Sequence, residues 1–255
     1  MHSYSDILLE EHGPIATITL NRPDAFNAIS EQMIEELHQA VQYLDRQAHI
    51  KVILVKANGK NFCAGFDLKI FRDKSPQGTA RVVEAGQRAF KALSEARAVT
   101  VAAINGYCVG GGIVLASACD LRYAEEEAIF WLPETLLGAP LALGGMTNLV
   151  REVGAARAME FTLLCERWTA ESMGHVGFLN KIINKDELAS YALEVAETLS
   201  KRSSLSLEIT KQQILAAKQS MQPVNYNFAD HHLFMAALVD EESARLHHDY
   251  LSKKQ

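Results

Sequence analysis

The chain has 255 residues, of which 48% are hydrophobic and 22% are charged. This composition excludes a mainly disordered chain, and no apolar run is long enough to predict a membrane-spanning segment. Acidic residues outnumber basic ones, which gives a formal net charge of −6. A negative charge argues against a general surface for nucleic acids or anionic membranes, so neither is an expected partner.

The cysteines show no Cys-x-x-Cys spacing, and no histidine lies at a metal-ligand spacing from them. This pattern argues against a disulfide framework and against a zinc site, and it favours reduced thiols in the core. The first residues also lack the basic-then-apolar order of a secretory signal. We therefore expect a cytoplasmic protein without a bound metal. The cysteines are Cys63, Cys108, Cys119 and Cys165.

The first half of the chain alternates between strand and helix patterns. Alternating β-branched residues predict two strands around a turn at Gly13-Pro14, and Ser30 is a predicted helix start followed by apolar residues at helical spacing. The predicted elements are, in order, strands within 6–20, a helix from Ser30, a strand at 51–57, a loop at 60–74, a helix at 79–96 and a strand at 99–104.

The second half begins with a turn at Asn105-Gly106, a helix opened by glycines, and a strand-like run at 121–124. This alternation predicts parallel βαβ-type units. The strand signal fades after about residue 145, and the pattern becomes mostly helical. We expect these helices to pack on the α/β core or on a neighbouring subunit.

The first candidate for chemistry is the run Gly110-Gly111-Gly112, which follows a strand and opens a helix. Consecutive glycines allow close backbone approach by a ligand, and a helix start presents unpaired N–H groups with a positive dipole end. Together they could hold an oxyanion. The alternative is a glycine turn that serves only tight packing. The nucleotide-loop patterns G-x-x-x-x-G-K-[ST] and G-x-G-x-x-G are absent.

The second candidate is the loop at 61–69, in which Gly65 allows a special backbone angle and Asp67 could cap the following turn. It could equally be an ordinary connection from strand to helix. The third candidate is Glu134, the only charged residue in 128–145. A carboxyl among apolar residues has a raised pKa, which suits proton transfer near neutral pH. The alternative is a solvent-facing side chain in a turn.

Other titratable clusters have a simpler interpretation. The run 125–127 of three glutamates is expected to be a solvated turn, and the histidine pairs at 231–232 and 247–248 are expected at the surface or an interface. No G-x-S-x-G motif supports a hydrolase triad.

Taken in this order, the motifs resemble the crotonase family, the enoyl-CoA hydratase and isomerase superfamily. The resemblance covers essentially the whole chain, and its combination of motifs is specific. It is carried by the segment 17–28 (TITLNRPDAFNA), the loop 64–68 (AGFDL), the turn 105–112 (NGYCVGGG) and the segment 132–138 (LPETLLG).

The resemblance implies a spiral of ββα units with C-terminal helices that build a homotrimer, often paired into a hexamer. It implies an α/β core over residues 1–195 and a helical region for oligomerisation over 196–255. It also implies an acyl-coenzyme A thioester as substrate. Coenzyme A is then part of the substrate, and no separate cofactor is expected.

The resemblance also implies roles for particular residues. Backbone N–H groups of Phe66 and Gly111 would hold the thioester oxygen as it becomes an enolate, and Glu134 would carry the proton. Basic side chains near the coenzyme A phosphates would be Lys56, Lys69 and Arg72. The expected substrate-binding residues are Ala25, Ala64, Asp67, Leu68, Gly110, Val114, Trp131 and Pro133.

One position departs from the family's hydratases, which carry a second glutamate where this chain has Val114. Hydration needs one group to activate water and another to handle the Cα proton, and a valine does neither. One carboxylate is enough to move a proton between carbons, so we expect double-bond isomerisation. The alternatives are a hydratase with an atypical site and a catalytically silent acyl-CoA-binding protein.

Overall fold

The computed structural model describes residues 4–72, 75–220 and 230–252. The strands are β1 (Ile7–His12), β2 (Ile15–Leu20), β3 (Val52–Ala57), β4 (Val99–Ile104), β5 (Tyr107–Val109), β6 (Leu121–Glu125), β7 (Ile129–Trp131), β8 (Trp168–Thr169) and β9 (Lys181–Ile183). The helices are α1 (Glu31–Asp45), α2 (Lys69–Arg72), α3 (Pro76–Glu95), α4 (Gly111–Ser117), α5 (Gly145–Val153), α6 (Ala155–Leu164), α7 (Ala170–His175), α8 (Leu188–Ser200), α9 (Ser204–Ser220), α10 (Asp230–Val239) and α11 (Glu241–Ser252).

A repeating path of the chain links two sheets. The larger sheet has the order β1-β2-β3-β4-β6-β9, and the smaller has the order β5-β7-β8. β4 enters the larger sheet and β5 the smaller one, and β6 and β7 repeat this step one position further along. A bridge between Cys63 and Cys108 adds the segment after β3 to the smaller sheet in the same way. The predicted α/β spiral of strand pairs and helices is confirmed.

The first elements form as their sequence predicts. β1 and β2 are an antiparallel hairpin, and β2, β3, β4, β6 and β9 run parallel to their neighbours. α1 begins after Ser30, whose side chain accepts a hydrogen bond from the Met33 N–H. Serine is favoured at this position because its oxygen satisfies an amide that the helix leaves unpaired.

The core lies between the larger sheet, the smaller sheet and the helices α1 and α3, and a second apolar layer joins the larger sheet to α8. All four cysteines are buried and none forms a disulfide, as predicted. Burial raises the pKa of the Cys63 thiol to about 12, and that of Cys119 likewise, so both stay protonated.

The region after residue 145 is mostly helical, as predicted, although β9 pairs with β6 in the larger sheet and β8 pairs with β7 in the smaller one. The expectation for the run 125–127 is wrong in part, because the run is not wholly solvated. Glu125 is buried and accepts a hydrogen bond from the Gly106 N–H at 2.8 Å, which joins the start of β5 to the end of β6.

The last helices return to the body of the chain. α10 packs on α3, and α11 packs on the 3₁₀ turn Glu134–Leu137, which we call the Glu134 turn. Gly138 ends this turn with a φ of +68°, and a Cβ there would lie 2.7 Å from the Cα of Ser243 in α11. The predicted division at 195/196 falls inside α8 and stays a prediction. Within the described residues, no helix has the length and apolar character needed to cross a membrane.

Candidate active site

Three segments of the smaller sheet end at the same edge. The bridge at Cys63 and the strands β5 and β7 run parallel, so the residues that follow each of them emerge together. The Gly110 N–H donates to the Trp131 carbonyl at 2.9 Å, which aligns the ends of β5 and β7. This topology brings the loop at 64–68, the glycine triplet and Glu134 into one place, although they are far apart in sequence.

Two glycines make the close approach of these loops possible. Gly65 has a φ of +87°, and a Cβ there would lie 3.0 Å from the Val109 carbonyl oxygen. Gly110 has a φ of +52°, and a Cβ there would lie 2.6 Å from Oε1 of Glu134. Only glycine adopts such angles without steric cost and leaves this room.

The backbone amides of Phe66 and Gly111 face a common space. Ile29 donates to the Gly65 carbonyl and accepts from the Asp67 N–H, so the N–H of Phe66 points away from Ile29. The Phe66 nitrogen lies 3.8 Å from the position that a Cβ on Gly111 would occupy. Gly111 is the first residue of α4, and its N–H therefore has no acceptor within the helix. The two amides form a site suited to a developing oxyanion.

Glu134 brings a carboxyl group to this space. It follows Pro133 at the start of the Glu134 turn, and its Oε2 atom is buried with no hydrogen-bond partner among the described residues. Burial raises the pKa of Glu134 to about 7, and no neighbouring charge in the described chain contributes to that shift. The carboxyl is thus able to take up and return a proton near neutral pH.

A clamp that the sequence did not reveal fixes the loop carrying Phe66. The Arg22 guanidinium lies 3.1 Å from Oδ2 of Asp67 and 3.3 Å from Oδ2 of Asp6, and it also donates to the Ala28 carbonyl. Asp67 was expected to touch substrate and to cap the next turn. Its Oδ1 accepts from the Lys69 N–H at 3.2 Å, which is the predicted cap, and its other oxygen is bound to Arg22.

Asn27 joins three loops around the site. Its side-chain oxygen accepts from the Arg22 N–H, and its side-chain nitrogen donates to the carbonyls of Asn58 and Asn61, each at 2.8 Å. Asn27 is fully buried with a φ of +54°. No sequence signal marked it out within the segment 17–28, because its partners are distant in the chain.

Two of the residues expected to contact coenzyme A, Ala25 and Ala64, come close to each other through the backbone. The Ala64 N–H donates to the Phe26 carbonyl at 3.0 Å, so Ala25 and Ala64 belong to neighbouring stretches of backbone. Leu68 follows in the same loop and is half-buried, and Phe26 is 60% exposed. Of the basic candidates, Lys56 is half-buried and Lys69 is exposed, whereas the Arg72 side chain lies outside the described residues.

Other contacts hold the Glu134 turn from behind. The Trp131 indole N–H donates to the Cys165 carbonyl at 2.7 Å, and the Thr135 hydroxyl donates to the Thr162 carbonyl at 3.1 Å. Pro133 is buried at the start of the turn. Trp131 and Pro133 thus support Glu134, and their expected contact with substrate stays a prediction.

Val114 was expected to share the pocket of Glu134. The structure gives it a packing role, since its side chain is 1% exposed. Its Cγ2 atom lies 2.5 Å from the position that a Cβ on Gly145 would occupy, so it abuts the start of α5.

No cluster of His, Cys, Asp or Glu suited to a metal ion occurs in the described part of the chain.

The two-sheet α/β spiral thus brings two backbone amides and a buried carboxyl together at one edge of the smaller sheet. The chain matches the family described as enoyl-CoA hydratase/isomerase over residues 10–255. It belongs to that family, and it is an enzyme of the hydratase or isomerase type.

Named relatives include both reaction types. The chain is 32% identical to mevalonyl-coenzyme A hydratase sidH of Aspergillus fumigatus, over 91% of this chain and 83% of that protein. It is 32% identical to the peroxisomal Delta(3,5)-Delta(2,4)-dienoyl-CoA isomerase of Arabidopsis thaliana, over 79% of this chain and 77% of that one. The structure of Pseudomonas aeruginosa DspI superposes with a TM-score of 0.83 at 30% identity, and covers 100% of this chain and 99% of its own.

Proposed function

We propose that this enzyme shifts the double bond of an enoyl-coenzyme A thioester through an enolate. One observation carries the proposal: the buried carboxyl of Glu134, whose Oε2 has no partner among the described residues and whose pKa is raised to about 7, stands against Gly110 beside the amides of Phe66 and Gly111. A proton transfer between carbons needs one such group, whereas hydration also needs a group to activate water.

The proposed reaction runs in two proton transfers. The thioester oxygen accepts hydrogen bonds from the two amides, and ionised Glu134 takes a proton from the carbon next to the carbonyl. The electron pair moves into the enolate, whose charge the amides stabilise. Protonated Glu134 then returns the proton to the far carbon of the allylic system. The reaction consumes no water, because it only moves a proton between two carbons. It needs no separate cofactor, because coenzyme A is part of the substrate.

Hydration is the second candidate, and the names of relatives such as mevalonyl-coenzyme A hydratase favour it. It would require another group to position water, because Val114 offers no carboxylate. A third reading, a silent binder of acyl thioesters, keeps the pocket without turnover.

One panel of assays separates the three. Native protein is incubated with 2-enoyl, 3-enoyl and 3-hydroxyacyl thioesters, and the products are identified by mass and isomer. Shifted enoyl product formed faster than 3-hydroxyacyl product supports isomerisation. Rapid hydration would overturn it, and binding without any product would indicate a silent protein. Glu134→Gln serves as the control that separates enzyme turnover from uncatalysed change.

We also propose that the protein is a cytoplasmic homotrimer or a hexamer of paired trimers, with no nucleic-acid partner. Exposed apolar side chains on two helices support self-association, since large exposed apolar patches mark interfaces. On α6 these are Met159, Leu163 and Leu164, and on α9 they are Leu205, Ile209 and Ile214.

A further inference from the structure

Leu143 has a backbone conformation that leucine rarely adopts. Its φ is +65°, in the left-handed region, and Gly144 follows it with a φ of +75°. Its side chain is only 3% exposed. Strained residues of this kind persist where the surrounding packing requires them, and they cluster at functional sites.

The Leu143 side chain spans the distance between two helices. Its Cδ2 atom lies 2.6 Å from the position that a Cβ on Gly86 would occupy, in the middle of α3. Its Cδ1 atom lies 3.7 Å from the corresponding position on Gly111, at the start of α4. Glycine is unfavourable within a helix, and here its missing side chain makes the notch that receives the leucine.

A large groove begins on the other side of Leu143. Its volume is about 1240 Å³, and it lies between α3, the end of α4, α5 and α9. Leu143 and Gly144 line it together with apolar residues such as Phe90, Leu207 and Leu215. Leu143 therefore contacts both this groove and the glycine that supplies one of the two site amides.

The direction of the acyl chain follows from the proposed function, on which this step rests. A thioester carbonyl carries sulfur on one side and the acyl chain on the other. With coenzyme A toward Ala25 and Ala64, the chain leaves on the side of Gly111, where Leu143 stands. We propose that Leu143 closes the end of the acyl pocket and sets the longest straight chain that the enzyme accepts.

Removal of the side chain then joins the pocket to the groove. Leu143→Ala should shift the ratio of kcat/KM for long over short straight-chain enoyl thioesters upward, by about tenfold or more. The matched control is Leu149→Ala, because Leu149 is an equally buried leucine on α5 that does not line the groove. It should lose stability without changing the chain-length profile.

A second variant is expected to shorten the acyl pocket instead of lengthening it, and it keeps α3 intact. Gly86→Ala places a methyl group 2.6 Å from the present position of Cδ2 of Leu143, so the leucine moves toward Gly111 and the pocket shortens. The longest accepted chain should therefore become shorter. An unchanged profile in both folded variants would overturn the proposal.

The same profile is also measured without turnover. Calorimetric binding of saturated acyl-coenzyme A thioesters of increasing length should show the same shifts in both variants. If the variants change the chain length that binds best, but the native protein shifts no double bond, the proposed reaction is rejected and Leu143 is retained as the end of the pocket. If the native protein shifts the double bond and the variants keep its chain-length preference, the proposed reaction is retained and the role of Leu143 is rejected.

Discussion

Glu134 lies where ionisation is costly, because the carboxyl is surrounded by backbone and apolar side chains and no partner reaches Oε2 within the described chain. A buried carboxyl without a neighbouring cation favours its neutral form. The hydrogen bond from the Glu134 backbone N–H lowers the pKa by less than burial raises it.

Activity should follow the ionisation of Glu134. Since burial raises its pKa to about 7, kcat/KM should rise with pH and level off above that value. Glu134→Gln should lower kcat by roughly a hundredfold to ten-thousandfold, the usual share of general acid–base catalysis, with thioester binding retained. Wild-type rates in this variant would remove Glu134 from the mechanism.

The free energy of unfolding should also depend on Glu134, but it should fall with rising pH whereas the activity rises. The unfolded chain releases the Glu134 proton near pH 4.5, and the folded protein keeps it to about pH 7. The folded state binds more protons in this window, so stability falls as pH rises, by about 3 kcal/mol in all. The melting temperature of Glu134→Gln should exceed that of the native protein above pH 7 and converge with it below pH 4.5.

A matched glutamate makes this measurement specific. Glu126 is exposed, and Glu126→Gln removes the same charge from the surface. Its difference in melting temperature from the native protein should stay constant across the same pH range. A pH-independent difference for Glu134→Gln as well would contradict the buried position of the carboxyl.

Gly110 tests the contact between backbone and carboxyl. In Gly110→Ala, the new methyl group would meet Oε1 of Glu134 at 2.6 Å and displace it, so kcat should fall by about a hundredfold. Gly13→Ala is the control, because Gly13 has a similar φ of +58° and open space around it. It should cost about 1 kcal/mol of stability and leave the rate unchanged.

At the scale of elements, the smaller sheet assembles the site, and it is the part that the sequence predicted least well. β5 and β7 have three residues each and β8 has two, too short for any periodic pattern. They exist because distant segments pair with them. The longer strands β2, β3 and β4 and the helices α1 and α3 were predicted, since each carries its own apolar pattern and stop signals.

The site followed the same rule. Gly65, Gly111 and Glu134 were identifiable, because glycine runs and a lone charge are visible locally. Arg22 and Asn27 were not singled out as anchors, since their partners lie far along the chain and meet them only in the folded structure. The buried position of Glu125 escaped prediction for this reason too.

The contact between Gly138 and α11 should stabilise that helix, and a substitution at Gly138 tests this. Gly138→Ala places a methyl group against the backbone of Ser243, on a residue with a φ of +68°. Amide hydrogen exchange across 241–252 should become faster by about tenfold or more. Gly154→Ala, at a φ of +80° with nothing nearby, should leave exchange in α11 unchanged.

At the scale of the whole molecule, apolar side chains remain uncovered on α6 and α9. Leu163 and Leu205 are each 65% exposed. α9 buries one side chain, Lys211, which is paired with Asp120 at 2.8 Å and donates to the Ala98 carbonyl. A second ion pair, between Lys218 and Glu152, also holds α9 to the body. Because Leu205, Ile209 and Ile214 stay exposed on this helix, it is suited to contact another subunit.

Self-association should depend on the exposed apolar side chains of α9. Native protein should sediment as a trimer or hexamer at micromolar concentration. Leu205→Asp combined with Ile209→Asp should shift it to smaller species, because charge is costly at a buried interface. Leu8→Asp, at a leucine 40% exposed on β1, is the control and should not change the assembly. A stable, fully active monomer of native protein would contradict the proposed assembly.

The packing of α11 on the Glu134 turn also has a consequence for biosynthesis. A ribosome makes the turn well before it makes the helix that covers it, since Gly138 and Ser243 are far apart in the chain. Contacts of such long range form late. Until α11 arrives, the Glu134 turn lacks this cover, and water reaching the carboxyl would return its pKa toward the ordinary value. A nascent chain would therefore hold a carboxyl of ordinary acidity, and the raised pKa that suits the return of the proton would arise only after the most distant helix has docked.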